Sequence, residues 1–417
     1  MQKIVVQGGQ KLRGKVEIGG SKNATLPIMA ATILASGKSV LTNVPILRDV
    51  TTMKQMLEIL GASVSLEGRT LSIDSEQCNS YEAPYELVRT MRASIYVLGP
   101  LLARFKKARV SLPGGCAWGP RPVDLHIRAM RELGADVEIE HGYIVASAEE
   151  LKGKEIHFET SSVGATGNAM MAACLASGRT VLRNAACEPE VEALAAFLNK
   201  MGANISGAGT AVVEIEGVKQ LRPAEDKMIP DRIEAGTYMV AAAITGGTVR
   251  IAECIPDHCS SLISKLAESG VEVMENGSEL VVSASERPGA VAVTTAPHPG
   301  FPTDMQAQMM ALMCVAEGTS VFVENIYRDR FTHVPELKRM NADITLEGNV
   351  ATIKGVLKLG SAKVMATDLR ASAALILAGL VADGRTEVSR FYHIDRGYEA
   401  IEKKLSGLGA KIWREEA

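Results

Sequence analysis

The order of hydrophobic and polar positions along this chain switches repeatedly between a helical period and an alternating one. Apolar runs of helical length end at a turn and pass into β-branched strands: PIMAATILASGKSVL, MMAACLASGRTVL, VAAAITGGTVRI, MMALMCVAEGTSVFV and AALILAGLVADGRTEV. A further copy, SIYVLGPLLARF running into KKARVSL, lacks the glycine but keeps the register. Ala, Met, Ile and Leu on every face predict helices buried at a domain centre. Each copy continues through a loop into an amphipathic helix such as DLHIRAMRELGA, then into an alternating hairpin such as SVSLEGRTLSID or DVEIEHGYIVAS. The amphipathic helices close on LGA or a variant at 60–62, 133–135, 201–203, 269–271, 340–342 and 408–410. Successive copies lie roughly 70 residues apart, the length of a small supersecondary unit rather than a solenoid repeat.

Helices recurring between strands imply an α/β architecture. Three buried helices, enclosed by sheets and amphipathic helices, would complete one domain, so six copies predict two domains with a cleft at their join. The polar, proline-containing stretch 217–232 reads as the connection, and residues 1–21 read as an opening hairpin able to complete either domain.

Ionic residues sit where the buried helices should begin. Counting back one helix length from each turn lands at or beside Lys22, Arg92, Ser162 and Val163, Arg232, Asp304 and Arg370. Capping accounts for Ser21, Asp304 and Asp368. It does not account for Lys22, Arg92, Arg232 and Arg370. Helix starts present free N–H groups that welcome anions, and a basic side chain adds to the attraction. With Arg121, Arg330 and Arg396 from the loops that follow the first strands, Lys22, Arg92 and Arg370 would hold a small, multiply charged anion, because guanidinium forks match phosphate and carboxylate oxygens.

The loop 111–127, SLPGGCAWGPRPVDLHI, is the stretch that core packing does not explain. Its glycines and prolines stop both helix and paired strand. That leaves Cys116 on a loop with Arg121, Asp124 and His126 close behind. Aligned with the other copies, this loop is longer by about three residues, and an insertion in a repeat points to added function.

Composition narrows the classes of partner. The chain has 417 residues, 22% of them charged, with a formal net charge of -3 and 4% aromatic residues. Neither a polyanion partner nor a membrane surface is indicated. The N-terminal stretch lacks the apolar core of a signal peptide and no run reaches bilayer length, so a cytoplasmic protein is expected. Seven cysteines without CxxC spacing suggest free thiols and no metal site. Cys174 and Cys314 lie in apolar helical runs, where burial explains them.

The motifs GGSKNATLP around Lys22, VRTMRAS around Arg92, PGGCAWGPRPVDLH around Cys116, SSVGAT at 161–166, PGFPTDMQAQ around Asp304 and ATDLRASAAL around Arg370 occur together. In them the chain resembles the UDP-N-acetylglucosamine 1-carboxyvinyltransferases over essentially its whole length. The resemblance implies an inside-out α/β barrel fold with two domains of three repeats, residues 22–230 forming the first and residues 1–21 with 231–417 the second, and the active site in the cleft between them. It implies transfer of the enolpyruvyl group of phosphoenolpyruvate to the 3-hydroxyl of UDP-N-acetylglucosamine with release of phosphate, the first committed step of peptidoglycan biosynthesis. No cofactor and no metal is implied, and a monomer is expected.

By the same resemblance, Lys22, Arg121 and Arg396 face the phosphate and carboxylate of phosphoenolpyruvate, and Arg92, Arg330 and Arg370 complete a basic cleft. Asp304 would accept the sugar hydroxyl proton. Cys116 would act as an acid or form a covalent phospholactoyl adduct, and would be the target of fosfomycin; its thiolate would be favoured by neighbouring cations. Asn23 would meet the acetamido sugar. Pro122, Val123, Asp124 and Leu125, with Ser162, Val163, Gly164 and Ile326, would line the nucleotide-sugar pocket. Thr160 stands where some relatives carry a basic residue.

Two other readings remain open at this point. 5-Enolpyruvylshikimate-3-phosphate synthases share the cations for phosphoenolpyruvate, but they typically carry Ser after the lysine and no reactive cysteine loop. An RNA-end-binding repeat protein is the alternative of another class, and the acidic balance without a basic stripe counts against it.

Overall fold

Small side chains allow the predicted apolar helices to approach closely enough to share one core. Gly99 carries this furthest: a Cβ there would lie 2.4 Å from the Asn168 carbonyl oxygen of the neighbouring helix. The computed structural model describes residues 2–112 and 123–416. These divide into two compact units, one of residues 20–112 and 123–229, the other of residues 2–19 and 230–416. The first is built around helices Lys22–Ala31, Leu98–Phe105 and Val163–Ala173, the second around Arg232–Thr245, Gln306–Met313 and Leu369–Val381. Each unit has its own continuous apolar core. Amphipathic helices such as Arg48–Ile59 and Asp124–Glu132 bury one face and leave the other to solvent.

The described strands form six four-stranded sheets, and no closed strand barrel appears among them. In the first sheet Lys38–Thr42 runs antiparallel to Thr70–Asp74, which forms a hairpin with Ser63–Glu67. Burial alternates along Lys38–Thr42, with Ser39 and Leu41 inward, as a half-buried strand requires. A short fourth strand pairs in parallel with the first strand of each repeat. In four repeats this strand comes from just before that repeat's own buried helix, as Glu82–Ala83 does beside Lys107–Ser111.

The remaining two repeats exchange it. Arg13–Glu17, which precedes the helix at Lys22 in sequence, pairs with Thr248–Ala252 inside the unit carrying residues 230–416, and Glu225–Lys227, which precedes the helix at Arg232, pairs with Lys38–Thr42 inside the unit carrying residues 20–229. The stretch expected to be only a polar connection therefore contributes a strand. Its polar character fits, since that strand is an exposed edge.

The opening segment is not a hairpin. Gln2–Gln7 and Arg13–Glu17 lie in different sheets, and Gln2–Gln7 is inserted between Arg385–Ser389 and Lys411–Glu416. It occupies the place that the second hairpin strand holds in the other repeats. Ile4, Val5 and Val6 are all fully buried, which a strand with a neighbour on each side permits and an exposed hairpin would not. No described helix is long and apolar enough to cross a membrane.

Because Ile4 sits at 0% exposure in a central strand, Ile4→Ala should destabilise the protein by about 2–5 kcal/mol, the range for deleting a buried aliphatic side chain. Chemical denaturation measures this. A loss below about 0.5 kcal/mol, the range of neutral surface changes, would contradict the central placement.

Candidate active site

A helix buried on all sides must still satisfy the N–H groups of its first turn. At four of the central helices side-chain caps contribute to this. Ser21 accepts from Ala24, Ser162 from Ala165, Asp231 from Ile233 and Glu234, and Asp368 from Arg370 and Ala371. The residues singled out in the sequence stand beside these caps. Lys22 is the first residue of its helix, Val163 follows its cap, Arg370 is the second residue of its helix, and Arg92 opens the 3-10 turn Arg92–Val97.

In the unit carrying residues 230–416, two arginines converge on Asp304, in the 3-10 turn Thr303–Met305. Its Oδ1 accepts from Arg330 Nη2 at 2.7 Å and its Oδ2 from Arg370 Nη2 at 2.9 Å. Both arginine side chains are nearly buried, at 5% and 4% exposure, whereas that of Asp304 retains 27%. Burial by itself would raise the Asp304 pKa, but the charges of Arg370 and Arg330, reinforced by their hydrogen bonds, hold it well below the usual carboxylate range. Arg370 also reaches the Tyr398 hydroxyl at 3.3 Å, and that hydroxyl meets Thr237 Oγ1 at 2.8 Å and Gln308 Nε2 at 3.2 Å. The buried Nε of Arg370 has no acceptor among the described residues.

Arg396 closes the 3-10 turn Phe391–Arg396, and its neighbour Asp395 accepts two hydrogen bonds from Arg414, at 3.1 and 2.7 Å. Ile326 is half-buried, and its N–H donates to Glu324.

The unit carrying residues 20–229 holds the other expected residues. Lys22 Nζ lies 3.4 Å from Asp49 Oδ2, both side chains nearly buried. Asn23 and Arg92 are half-buried. Val123, Asp124 and Leu125 start one helix and Ser162, Val163 and Gly164 another, and His126 brings the two starts together. A Cβ on Gly164 would lie 3.0 Å from His126 Cε1 and Nε2, while His126 Nδ1 meets Asn168 Nδ2 at 2.8 Å. The amide also donates to Ile95 O, so His126 Nδ1 is an acceptor and its proton resides on Nε2. Burial, and then the Arg92 charge, lower the His126 pKa to about 4.

Cys116, Arg121 and Pro122 lie outside the described residues. The other six cysteines are free, and burial pushes the Cys174 and Cys314 thiols up to about 12, which leaves them unreactive.

The chain is similar to known proteins over nearly its whole length. The profile of the family described as EPSP synthase (3-phosphoshikimate 1-carboxyvinyltransferase) matches residues 6–405. A UDP-N-acetylglucosamine 1-carboxyvinyltransferase of Geobacter metallireducens is 57% identical over 414 residues, covering 99% of both chains. One of Myxococcus xanthus is 56% identical over 420 residues, covering all of both. The chain belongs to the UDP-N-acetylglucosamine 1-carboxyvinyltransferase family. Among solved structures, the enolpyruvyl transferase NikO from Streptomyces tendae matches with a TM-score of 0.91 at 25% identity, covering 100% of this chain and 99% of that one. An EPSP synthase from Acinetobacter baumannii matches over the full length of both chains with a TM-score of 0.77 at 17% identity, which speaks for the fold alone. Family membership and these likenesses establish an enolpyruvyl transferase with a two-domain α/β fold.

Sequence reasoning missed Thr303, Glu324, Tyr398 and Arg414, whose polar groups hold the expected residues or their immediate neighbours. A signal existed for two of them. Thr303 directly precedes Asp304, and Glu324 stands at the end of a strand, where the loop with Arg328 and Arg330 begins.

Two outcomes follow from the charge balance. The depressed pKa of Asp304 means that its ion pairs add stability above the unfolded carboxylate pKa of about 3.9 and lose it as pH falls through the folded value. Asp304→Asn should therefore be less stable than the wild type at pH 7, with the gap narrowing below about pH 4. Denaturation curves at both pH values measure it, and a constant gap would contradict the assignment. His126 should remain neutral from pH 8 to pH 5, which nitrogen-15 NMR of the imidazole would detect. Protonation near the unperturbed value of about 6.5 would refute its burial against Arg92.

Proposed function

We propose that this chain transfers the enolpyruvyl group of phosphoenolpyruvate to the 3-hydroxyl of UDP-N-acetylglucosamine and releases phosphate, in the first committed step of peptidoglycan biosynthesis. The carrying observation is the 57% identity, across 99% of both chains, to a protein of that name. In the same reading each unit of three repeats is an inside-out α/β barrel, its buried helices within and its sheets outside.

The chemistry assigns work to particular groups. Phosphoenolpyruvate carries a phosphate and a carboxylate, so addition to it needs cations for the oxyanions and an acid for the methylene carbon. Lys22, Arg121 and Arg396 meet the anionic groups, and Arg92, Arg330 and Arg370 complete the cationic set. Cys116 supplies the acid or the covalent adduct, and fosfomycin alkylates it. Asn23 meets the acetamido sugar, while Pro122 to Leu125, Ser162 to Gly164 and Ile326 line the nucleotide-sugar pocket.

Asp304 accepts the hydroxyl proton. Its clamp by two guanidinium groups supports an ionised carboxylate at neutral pH, and it also makes that carboxylate a weak base. Proton transfer therefore requires that Arg330 or Arg370 turn part of its charge to another anion. Phosphoenolpyruvate is such an anion, and nothing among the described residues accepts from the Nε of Arg370.

Phosphate release from phosphoenolpyruvate tests the reading directly. Turnover is expected with UDP-N-acetylglucosamine, not with shikimate 3-phosphate, and fosfomycin should abolish it while adding its mass to the peptide containing Cys116. Turnover with the shikimate acceptor instead would move the chain to the neighbouring branch, and an adduct on another cysteine would remove Cys116 from its role.

A further inference from the structure

The strand Thr319–Val323 runs directly into Glu324, whose side chain is fully buried at 0% exposure. A carboxylate in that position needs partners for both oxygens. Oε1 accepts from Thr295 Oγ1 at 2.8 Å and from the backbone N–H groups of Ile326 and Tyr327 at 2.9 Å each. Oε2 accepts from Thr303 Oγ1 at 2.9 Å. Every partner is a donor, the pattern that an ionised carboxylate satisfies.

The consequence reaches Asp304. A threonine hydroxyl has one proton, and Thr303 gives it to Glu324, so its oxygen is left to accept, which it does from Arg330 Nη1 at 2.9 Å. The other terminal nitrogen of the same guanidinium reaches Asp304 Oδ1 at 2.7 Å. Because the guanidinium fork is planar and rigid, seating one nitrogen on Thr303 fixes the direction of the other. Hydrogen-bond polarity thus runs in one sense from Arg330 through Thr303 to Glu324, leaving Arg330 aimed at Asp304.

We propose that Glu324 is a positioning residue for the reaction: through Thr303 and Arg330 it sets the Asp304 carboxylate, and through the Ile326 N–H it holds that segment of the nucleotide-sugar wall. One buried carboxylate would then coordinate the proton acceptor and a substrate-lining segment without touching substrate. The proposal rests on the function reading above.

Three variants of the full-length protein test it. Thr303→Val keeps the shape and removes the hydroxyl, Thr303→Ser keeps the hydroxyl, and Glu324→Gln keeps the size and removes the charge. In phosphate release with UDP-N-acetylglucosamine, Thr303→Val and Glu324→Gln should lower kcat by about tenfold or more, as expected for a misplaced reacting group, with a smaller change in KM for phosphoenolpyruvate. Thr303→Ser should stay within about twofold of wild type. Among the described residues, the charged and titratable groups around Asp304 are Arg330, Arg370 and, through Arg370, Tyr398. With Arg330 unseated, the carboxyl should titrate at higher pH in Thr303→Val but not in Thr303→Ser. Carbon-13 NMR of the carboxyl reads this without any turnover. A folded Thr303→Val with wild-type kcat and an unmoved Asp304 titration would overturn the proposal. If Glu324→Gln fails to fold, the Thr303 pair decides alone. A wild-type protein that releases no phosphate would defeat the function reading, and the NMR comparison would still decide the positioning role.

Discussion

A helix that is apolar on every face must be surrounded, yet its first turn carries N–H groups that cannot be buried without partners. Much of this protein follows from that conflict. The middle of each central helix is closed off by sheets and amphipathic helices, while its start must remain polar. Ser21, Ser162, Asp231 and Asp368 satisfy the free donors. Once those ends are polar, each with a positive dipole end, they become natural places for groups that handle anions. Lys22, Arg232 and Arg370 stand at such starts, and Arg92 at the 3-10 turn leading into Leu98–Phe105.

Concentrating cations at buried helix ends creates a second demand, because each needs a counter-charge when no substrate is present. Asp304 meets it for Arg330 and Arg370, and Asp49 meets it for Lys22. In the proposed reaction these internal partners share the cations with the substrate anions. The energy that holds the site together would then also restrain its base until an anion arrives, which couples binding to proton transfer through charge alone.

The repeat itself is economical because one packing solution serves six times, and the places where it departs from regularity are informative. Two repeats exchange their parallel edge strands, so Arg13–Glu17 and Glu225–Lys227 each pair in the unit whose next buried helix they do not precede. The strand Gln2–Gln7 fills a sheet whose other members come from residues 363–416. Both departures commit the first residues to the core of the unit carrying residues 230–416, and both are pairings between segments far apart in the chain.

The sequence by itself determined the local elements and the residue types at their starts. Periodicity marked the buried helices, and register alone placed Lys22, Val163, Arg232, Asp304 and Arg370 within a residue or two of where those helices begin, and Arg92 at the 3-10 turn that leads into Leu98–Phe105. Both are local consequences of side-chain pattern, so they are legible without a fold. The family resemblance then supplied candidate roles that no periodicity could. Tertiary structure decided strand partnership, because the local pattern of Gln2–Gln7 marks a strand but does not name Arg385–Ser389 and Lys411–Glu416 as its neighbours. It also decided which charges meet. Asp304 and Arg370 are 66 residues apart and joined at 2.9 Å, and Glu324 reaches Asp304 only through Thr303 and Arg330. A hydrogen bond depends on ångström-scale distance and on which atom holds the proton, and neither is written in the order of residues along the chain.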